Sequence, residues 1–427
     1  MRMTAGLYKE RAHDGVMRKK ETERNNPMKI NILKRGACVV AAGALVASMG
    51  LAGCTSNSTS NTSNANTSSS SDVIEVTITD TSCKVSTNTT PSGTVTFKVT
   101  NSGTAVNEFE ILADDKLQIV TERENLTPGT TVEVVAQLEE GSYYTASKTN
   151  MVGALVDATA FTVTKGEEVK VSADEQTLRD EARTNYIAYI KDQAGQLVAA
   201  TDEFCTAYLS GDTATAQKLY PVARSYYERI EPTAEAFGDI DPNLDLREAD
   251  CEEEEVSAEE WTGWHAIEKN LWGQADYTDE KKADLVEHLK KDTQDLYDLV
   301  YGSDFDVTLA DISNGAISLM EEVATSKITG EEEIFSHTDL YDFQANVEGA
   351  KVAYGDVKTL LKQKNPDLQT TIDAAFETVE KDLAQYGSIE AGYKSYDELT
   401  EAQVKQLSDD VDVLRGALEN LTSAILK

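Results

Sequence analysis

The sequence predicts a multidomain β + α protein: an N-terminal β-sandwich over residues 72–166 followed by an all-α helical bundle over residues 172–427. Three observations carry this reading. Between residues 73 and 165 apolar and polar residues alternate, the period of a half-buried strand, and turn signals cut the alternation into short segments. From Ala173 onward apolar residues recur at steps of three and four, the period of an amphipathic helix. The full length of 427 residues also exceeds what one hydrophobic core usually organises.

Residues 1–27 are polar and charged without an apolar period, and Met28 then offers a second start, so the first 27 residues read as an upstream extension. Lys29, Lys34 and Arg35 precede an uncharged apolar run from Ala37 to Leu51, which has the length of a signal-peptide core and is too short for a stable membrane-spanning helix. The run ends in Leu51-Ala52-Gly53-Cys54, which resembles the bacterial lipobox, where the cysteine is acylated and becomes the first mature residue. Residues 1–53 are therefore expected to be removed and Cys54 to carry a lipid; the competing reading is a membrane anchor with an incidental cysteine. Residues 54–71 are almost entirely Ser, Asn and Thr, with too little apolar surface to fold, and read as a flexible tether.

The charge balance is lopsided, 39 Lys plus Arg against 75 Asp plus Glu, a formal net of −36. Such a surface repels nucleic acid and favours cations. Beyond Cys54 only Cys83, Cys205 and Cys251 remain, an odd number that excludes a full disulfide framework and leaves a single Cys205–Cys251 bridge open.

Within the sandwich, Val73–Thr79 alternates, Val95, Phe97 and Val99 share a face, and so do Phe109 with Ile111 and Val132, Val134, Ala136 and Leu138. Pro91-Ser-Gly93, Asn101-Ser-Gly103, Thr127-Pro-Gly129 and Glu140-Gly141 punctuate them, which predicts a small antiparallel sandwich. Helical runs follow at about 175–209, 213–237, 257–272, 279–300, 308–326, 337–362 and 366–385, and a last helix bears the stripe Val404, Leu407, Val411, Leu414, Leu418, Leu421, Ile425. Eight helices with short connections make one bundle or two four-helix bundles in tandem.

The stretch Glu259–Gly273 contains all three tryptophans, Trp261, Trp264 and Trp272, and places His265 and Glu268 three apart, on one face of a helix. Two readings are open: a buried histidine satisfied by its neighbour, or half of a metal site. Glu228 and Glu231 repeat the three-residue spacing in the second helix, and bundles build metal sites from such pairs on facing helices; a solvated face is the other reading. Glu321 and Glu322 lie inside the apolar run Ile312–Val323, so one of them must approach the core. The loop Asp239–Asp245 offers closely spaced carboxylates for a hard cation but lacks the glycine and terminal glutamate of an EF-hand. His337 falls at a helix start beside the capping candidates Ser336 and Thr338, a structural position.

Four long motifs carry a family resemblance: Tyr227-Glu-Arg-Ile-Glu-Pro232, Thr262-Gly-Trp-His-Ala-Ile-Glu-Lys269, the stretch Glu321 to Glu332, and Ser336 to Gly349. Together they resemble the imelysin-like domain of EfeO-type iron-uptake proteins. The strand domain, with Asn107-Glu-Phe-Glu-Ile-Leu112 and Thr121 to Gly129, is similar to the cupredoxin-like domain that precedes it in those proteins. The resemblance implies a metal site centred on His265 and Glu268, to which Glu231, Glu228 and Glu322 are added from facing helices. In the cupredoxin-like domain the family pairs two cysteines as candidate copper ligands; Cys83 matches the first, while the second position falls in Tyr144-Thr-Ala-Ser-Lys148, which has none. Cys83, Glu108 and Met151 are left as a second candidate set, against the reading of the sandwich as a docking module.

The resulting expectation is a lipid-anchored iron-binding component on the outer face of the bacterial cytoplasmic membrane, or in the periplasm. It would capture ferrous or ferric iron and deliver it to a membrane permease. The resemblance implies an Ftr-like iron permease and a secreted haem peroxidase as partners, and zinc or copper are expected to bind in vitro. No His-Glu-x-x-His and no nucleophile with a base is evident, so the protein is read as no enzyme despite the family's peptidase label. The alternative is a cell-surface metal-dependent peptidase or hydrolase with His265, Glu268 and Glu231 as three zinc ligands.

Overall fold

The computed structural model describes residues 73–427 except 115, 117–118, 152–154, 167–170 and 252–255; the signal, lipid-anchor (Cys54) and tether readings lie outside the described residues. Nine strands come first: β1 (Ile74–Thr79), β2 (Ser82–Val85), β3 (Thr89–Pro91), β4 (Gly93–Asn101), β5 (Asn107–Leu112), β6 (Ile119–Leu126), β7 (Thr131–Leu138), β8 (Gly141–Thr149) and β9 (Val156–Thr164). They form a four-stranded sheet in the order β2-β1-β4-β7 and a five-stranded sheet in the order β3-β9-β8-β5-β6. The sandwich is not purely antiparallel as expected, because β1 pairs β4 and β3 pairs β9 in parallel. The chain leaves β1 through β2 and β3 and returns as β4 beside it, so the two neighbours run the same way. Phe97, Phe109 and Phe161 meet at the centre of the core with ring centroids 5.5 and 5.6 Å apart.

One strand departs from alternation. All six residues of β5 are buried, and in β6 Thr121, Glu122 and Arg123 are buried consecutively. The reason is that the helical region packs over β6, the edge strand of the five-stranded sheet, and over β7, the edge strand of the other sheet. Asn314 donates to Val135 O (2.8 Å) and Thr121 Oγ1 (3.1 Å), and buried Arg123 pairs with buried Glu321, while the half-buried Glu322 beside it faces Lys327.

The helices are α1 (Ala173–Ser210), α2 (Thr213–Glu228), α3 (Ile240–Asp245), α4 (Gly263–Leu271), α5 (Asp279–Tyr301), α6 (Leu309–Thr325), α7 (Asp339–Lys364), α8 (Pro366–Leu383), α9 (Glu401–Leu418) and α10 (Leu421–Leu426), with a short hairpin of β10 (Gly387–Ser388) and β11 (Gly392–Tyr393). They share one hydrophobic core and do not divide into tandem bundles. Three boundaries differ from the periodicity, each for a local reason. The second helix stops at Glu228 and resumes as a 3-10 segment, Glu231–Phe237, because Pro232 lacks an N–H and crowds the residue before it. The last helix breaks after Leu418, where Thr422 turns to reach Ser313 Oγ (2.8 Å) and Asn314 Oδ1 (2.6 Å) on α6. The tryptophan-bearing helix starts only at Gly263, whose φ of +82° suits glycine and where a Cβ would lie 2.3 Å from Leu244 O. That close approach presses the start of α4, carrying His265, against α3, carrying Asp245.

Candidate metal centre

His265 is buried on α4 with both ring nitrogens facing carboxylates. Nδ1 lies 3.1 Å from Glu268 Oε2, one turn along the same helix. Glu268 is itself fixed: its other oxygen accepts from the backbone N–H groups of Phe335 (3.0 Å) and Ser336 (2.7 Å), in the loop leading to α7. Nε2 has no hydrogen-bond partner and is 3.5 Å from Asp245 Oδ1 and 3.9 Å from Glu332 Oε1. One nitrogen is thus oriented by a carboxylate while the other is left open between two more, the arrangement by which a second partner fixes a metal-binding imidazole. Ligand atoms of Asp245, His265 and Glu332 lie within 4.8 Å of one another, as do those of His265, Glu268 and Glu333.

Around this lies a dense charge network. Arg224 of α2, fully buried, contacts Asp245 and Glu228, and reaches Glu333 (2.7 Å), Glu332 (3.5 Å) and Asp342 (3.7 Å). Lys327 contacts Glu231 (2.7 Å) and Glu228 (3.2 Å), with Glu332 at 3.6 Å and Glu322 at 3.9 Å. Asn346 of α7 donates to Glu228 Oε2 (2.9 Å) and Glu231 Oε2 (2.7 Å). Tyr220 donates to Glu333 (3.1 Å), and its ring meets Trp264 and Trp272 edge-on at 5.8 and 5.3 Å, which closes one side with aromatic carbon.

The predicted residues therefore fall into two adjoining groups. His265 and Glu268 come together, whereas Glu228, Glu231 and Glu322 gather at Lys327; among the described residues the candidate ligand groups join His265 to Asp245, Glu332 and Glu333 instead. Asp245 belongs to the acidic loop noted in the sequence, and Glu332 to the Gly330-Glu-Glu-Glu connection, but spacing alone does not say which acids face inward. Ser336 and Thr338 do not cap α7 through their side chains; both hydroxyls turn to Glu333 Oε2 (2.6 and 3.2 Å).

In the sandwich each member of the second candidate set has its own surroundings. Cys83 packs in the core and is a free thiol, as are Cys205 and Cys251, and burial, then Asp157 and Glu110, push it up to about 12. Met151 Sδ accepts from Asn125 N at 3.3 Å. Glu108 lies instead with Glu110 and Glu122, ligand atoms within 4.8 Å of one another, beside Lys148. A cavity of about 340 Å³ lies between part of β6 and the helical region, and Glu122, Glu124, Glu231, Glu235, Asp241 and Glu322 line it.

Burial and mutual repulsion set the protonation of these acids. Burial would raise Glu332, but Lys327, His265, Arg247 and Arg224 outweigh it and hold the carboxyl at about 2. Burial and then the charge of Glu268 push Glu333 well up; burial and then Glu228 do the same to Asp342. Burial raises Asp339 to about 6 and Asp241 to about 7. A raised carboxyl binds its proton more tightly folded than unfolded, so its contribution to stability falls as pH rises from about 4 through the folded value. The metal-free protein should accordingly melt roughly 5 °C or more higher at pH 5 than at pH 7.5, in a thermal scan with chelator present. Glu332 works in the opposite sense, but only below about pH 4. A melting temperature that climbs steadily from pH 5 to 7.5 would contradict these environments.

The fold and the site define a class: two-domain proteins in which a cupredoxin-like sandwich precedes an imelysin-type helical bundle with a buried His-x-x-Glu pair. Sequence models of the cupredoxin-like domain and of imelysin match residues 44–156 and 182–421. The iron uptake system component EfeO of Yersinia pestis is 38% identical over 354 residues, 81% of this chain and 91% of that protein. EfeO of Escherichia coli (strain K12) is 36% identical over the same shares. The chain belongs to the imelysin family and, with its cupredoxin-like domain, to the EfeO-type iron-uptake components.

Proposed function

We propose that the protein captures iron at the outer face of the cytoplasmic membrane and hands it to an Ftr-like permease, with a secreted haem peroxidase as a further partner. The observation that carries this reading is the buried, unpartnered Nε2 of His265, aimed between Asp245 and Glu332 while Glu268 holds the other nitrogen. One imidazole with several carboxylates suits ferrous or ferric iron by hardness. The relatives named as iron uptake components support it. The protein acts as a carrier, not a hydrolase: a peptide would have to reach a ring that is only 2% exposed.

Metal analysis of the purified protein after incubation with iron, zinc and copper should find about one bound equivalent, released by acid because imidazole and carboxylates must be deprotonated to coordinate. Zinc and copper should bind in vitro at least as tightly as ferrous iron, so selectivity comes from supply and the partner permease. No retained metal of any kind would sink the reading. Among the described residues no helix is long and apolar enough to cross a membrane. Membrane attachment is assigned to a lipid on Cys54, and Cys54→Ala should release the protein from the membrane fraction or leave the precursor uncleaved. Membrane retention of a processed Cys54→Ala protein would refute it.

A further inference from the structure

Lys327 opens the 3-10 turn Lys327–Thr329 after α6, and its side chain is fully buried. An ammonium has three donors, and here they point into a cage of four carboxylates: Glu231 Oε1 at 2.7 Å, Glu228 Oε2 at 3.2 Å, Glu332 Oε1 at 3.6 Å and Glu322 Oε1 at 3.9 Å. Burial works against the charge, but the four acids outweigh it and keep the amine protonated. One atom of this cage belongs to two sites. Glu332 Oε1 is also 3.9 Å from His265 Nε2 and 3.5 Å from Arg224 Nη2. An ion coordinated by Glu332 at roughly 2 Å would therefore sit on the order of 5 Å from the ammonium, in an interior that screens poorly.

We propose that Lys327 is a tethered competing cation, held in the carboxylate cage beside the Asp245–His265–Glu332 position so that the two share Glu332, and that this competition sets the metal affinity low enough for the ion to be passed on. The idea rests on the reading of His265 as a metal ligand. It explains why Glu228, Glu231 and Glu322 are gathered one step away from the imidazole: they hold the ammonium. A free cation would leave the cage when a metal arrived, but this one is covalently attached and buried, so its repulsion persists in the loaded state and favours release. Removing it would leave the cage acids unneutralised and the metal position more negative.

The test is titration of Zn²⁺, a probe without redox chemistry, into the full-length protein and its Lys327→Met and Lys327→Arg variants, with dissociation into excess chelator followed by stopped flow. Lys327→Met should bind about tenfold or more tighter and release correspondingly more slowly, while Lys327→Arg, which keeps the charge, should stay within about threefold of wild type. A folded Lys327→Met protein with unchanged or weaker affinity overturns the proposal. Should that variant not fold, the Nζ resonance of Lys327 in ¹⁵N-lysine-labelled wild type decides: it should shift with Zn²⁺, and a resonance that stays still while the His265 ring signals move overturns it. Binding by Lys327→Met but not by wild type would uphold the competition and overturn the reading of the wild-type centre. No binding by either overturns both.

Discussion

Replacing His265 with Ala should weaken ferrous iron binding by about 100-fold or more in an anaerobic calorimetric titration. The imidazole is the only nitrogen donor in the group, and its open Nε2 faces Asp245 and Glu332. Without it the ion would be left to carboxylates already engaged by Arg224 and Lys327. Glu268→Gln should cost about 10- to 100-fold although it keeps the shape, because an amide presents no charge to the Nδ1 side and misorients the ring, the usual effect of altering a metal ligand's supporting partner. Equal affinities for wild type and His265→Ala would make this histidine a satisfied core residue, and the metal would have to lie elsewhere.

The sequence shows much of this centre, and its silence elsewhere has identifiable causes. His265 and Glu268 are legible because a helix puts residues three apart on one face, and both are indeed buried on α4. Glu228 and Glu231 share the same spacing, yet Pro232 ends the α-helix between them, and the partner that claims them, Lys327, lies 99 residues from Glu228. No periodicity reports a contact over that separation. Arg224 is hidden for the same reason: in a helix with Glu228 four residues on, it looks like an ordinary surface pair, and only the tertiary fold brings Asp245, Glu332, Glu333 and Asp342 around it. Asp245 stands in the acidic loop and Glu332 ends one of the family motifs, but choosing one acid among neighbours requires the approach at Gly263 and the 3-10 turn that Lys327 opens.

The sandwich shows the complementary limit. Alternation identifies Phe109 and Ile111 as inward and Glu108 and Glu110 as outward, but it cannot tell a solvated outer face from one covered by another domain. The covering is what buries Glu108, Glu110 and Glu122 together, and the contact of α6 with edge strand β6 turns Arg123 and Glu321 into a buried pair.

Arg224→Met should be the most damaging single change in the chain. The guanidinium is fully buried and spreads its nitrogens over five acids: Asp245 on Nη1, Glu228 and Glu332 on Nη2, Glu333 and Asp342 on Nε. Removing one partner of a buried ion pair typically costs about 3–5 kcal/mol, because the other charge is left stranded. Here several are stranded at once, and the loss is a large part of the roughly 5–15 kcal/mol that holds a folded domain together. Arg224→Lys should restore little, since one ammonium cannot reach acids lying in three directions. The damage should depend on pH in a defined sense. Glu333 and Asp342 already hold their protons tightly, and losing the arginine removes a charge that opposes this, so acid supplies the missing positive charge and the deficit should shrink between pH 8 and pH 5. A divalent metal should substitute in part, stabilising Arg224→Met more than wild type. Thermal unfolding of wild type, Arg224→Lys and Arg224→Met at both pH values, with chelator and with Zn²⁺, measures all three effects. An Arg224→Met protein within about 1 kcal/mol of wild type at pH 8 would show that this cluster is held by something other than the guanidinium.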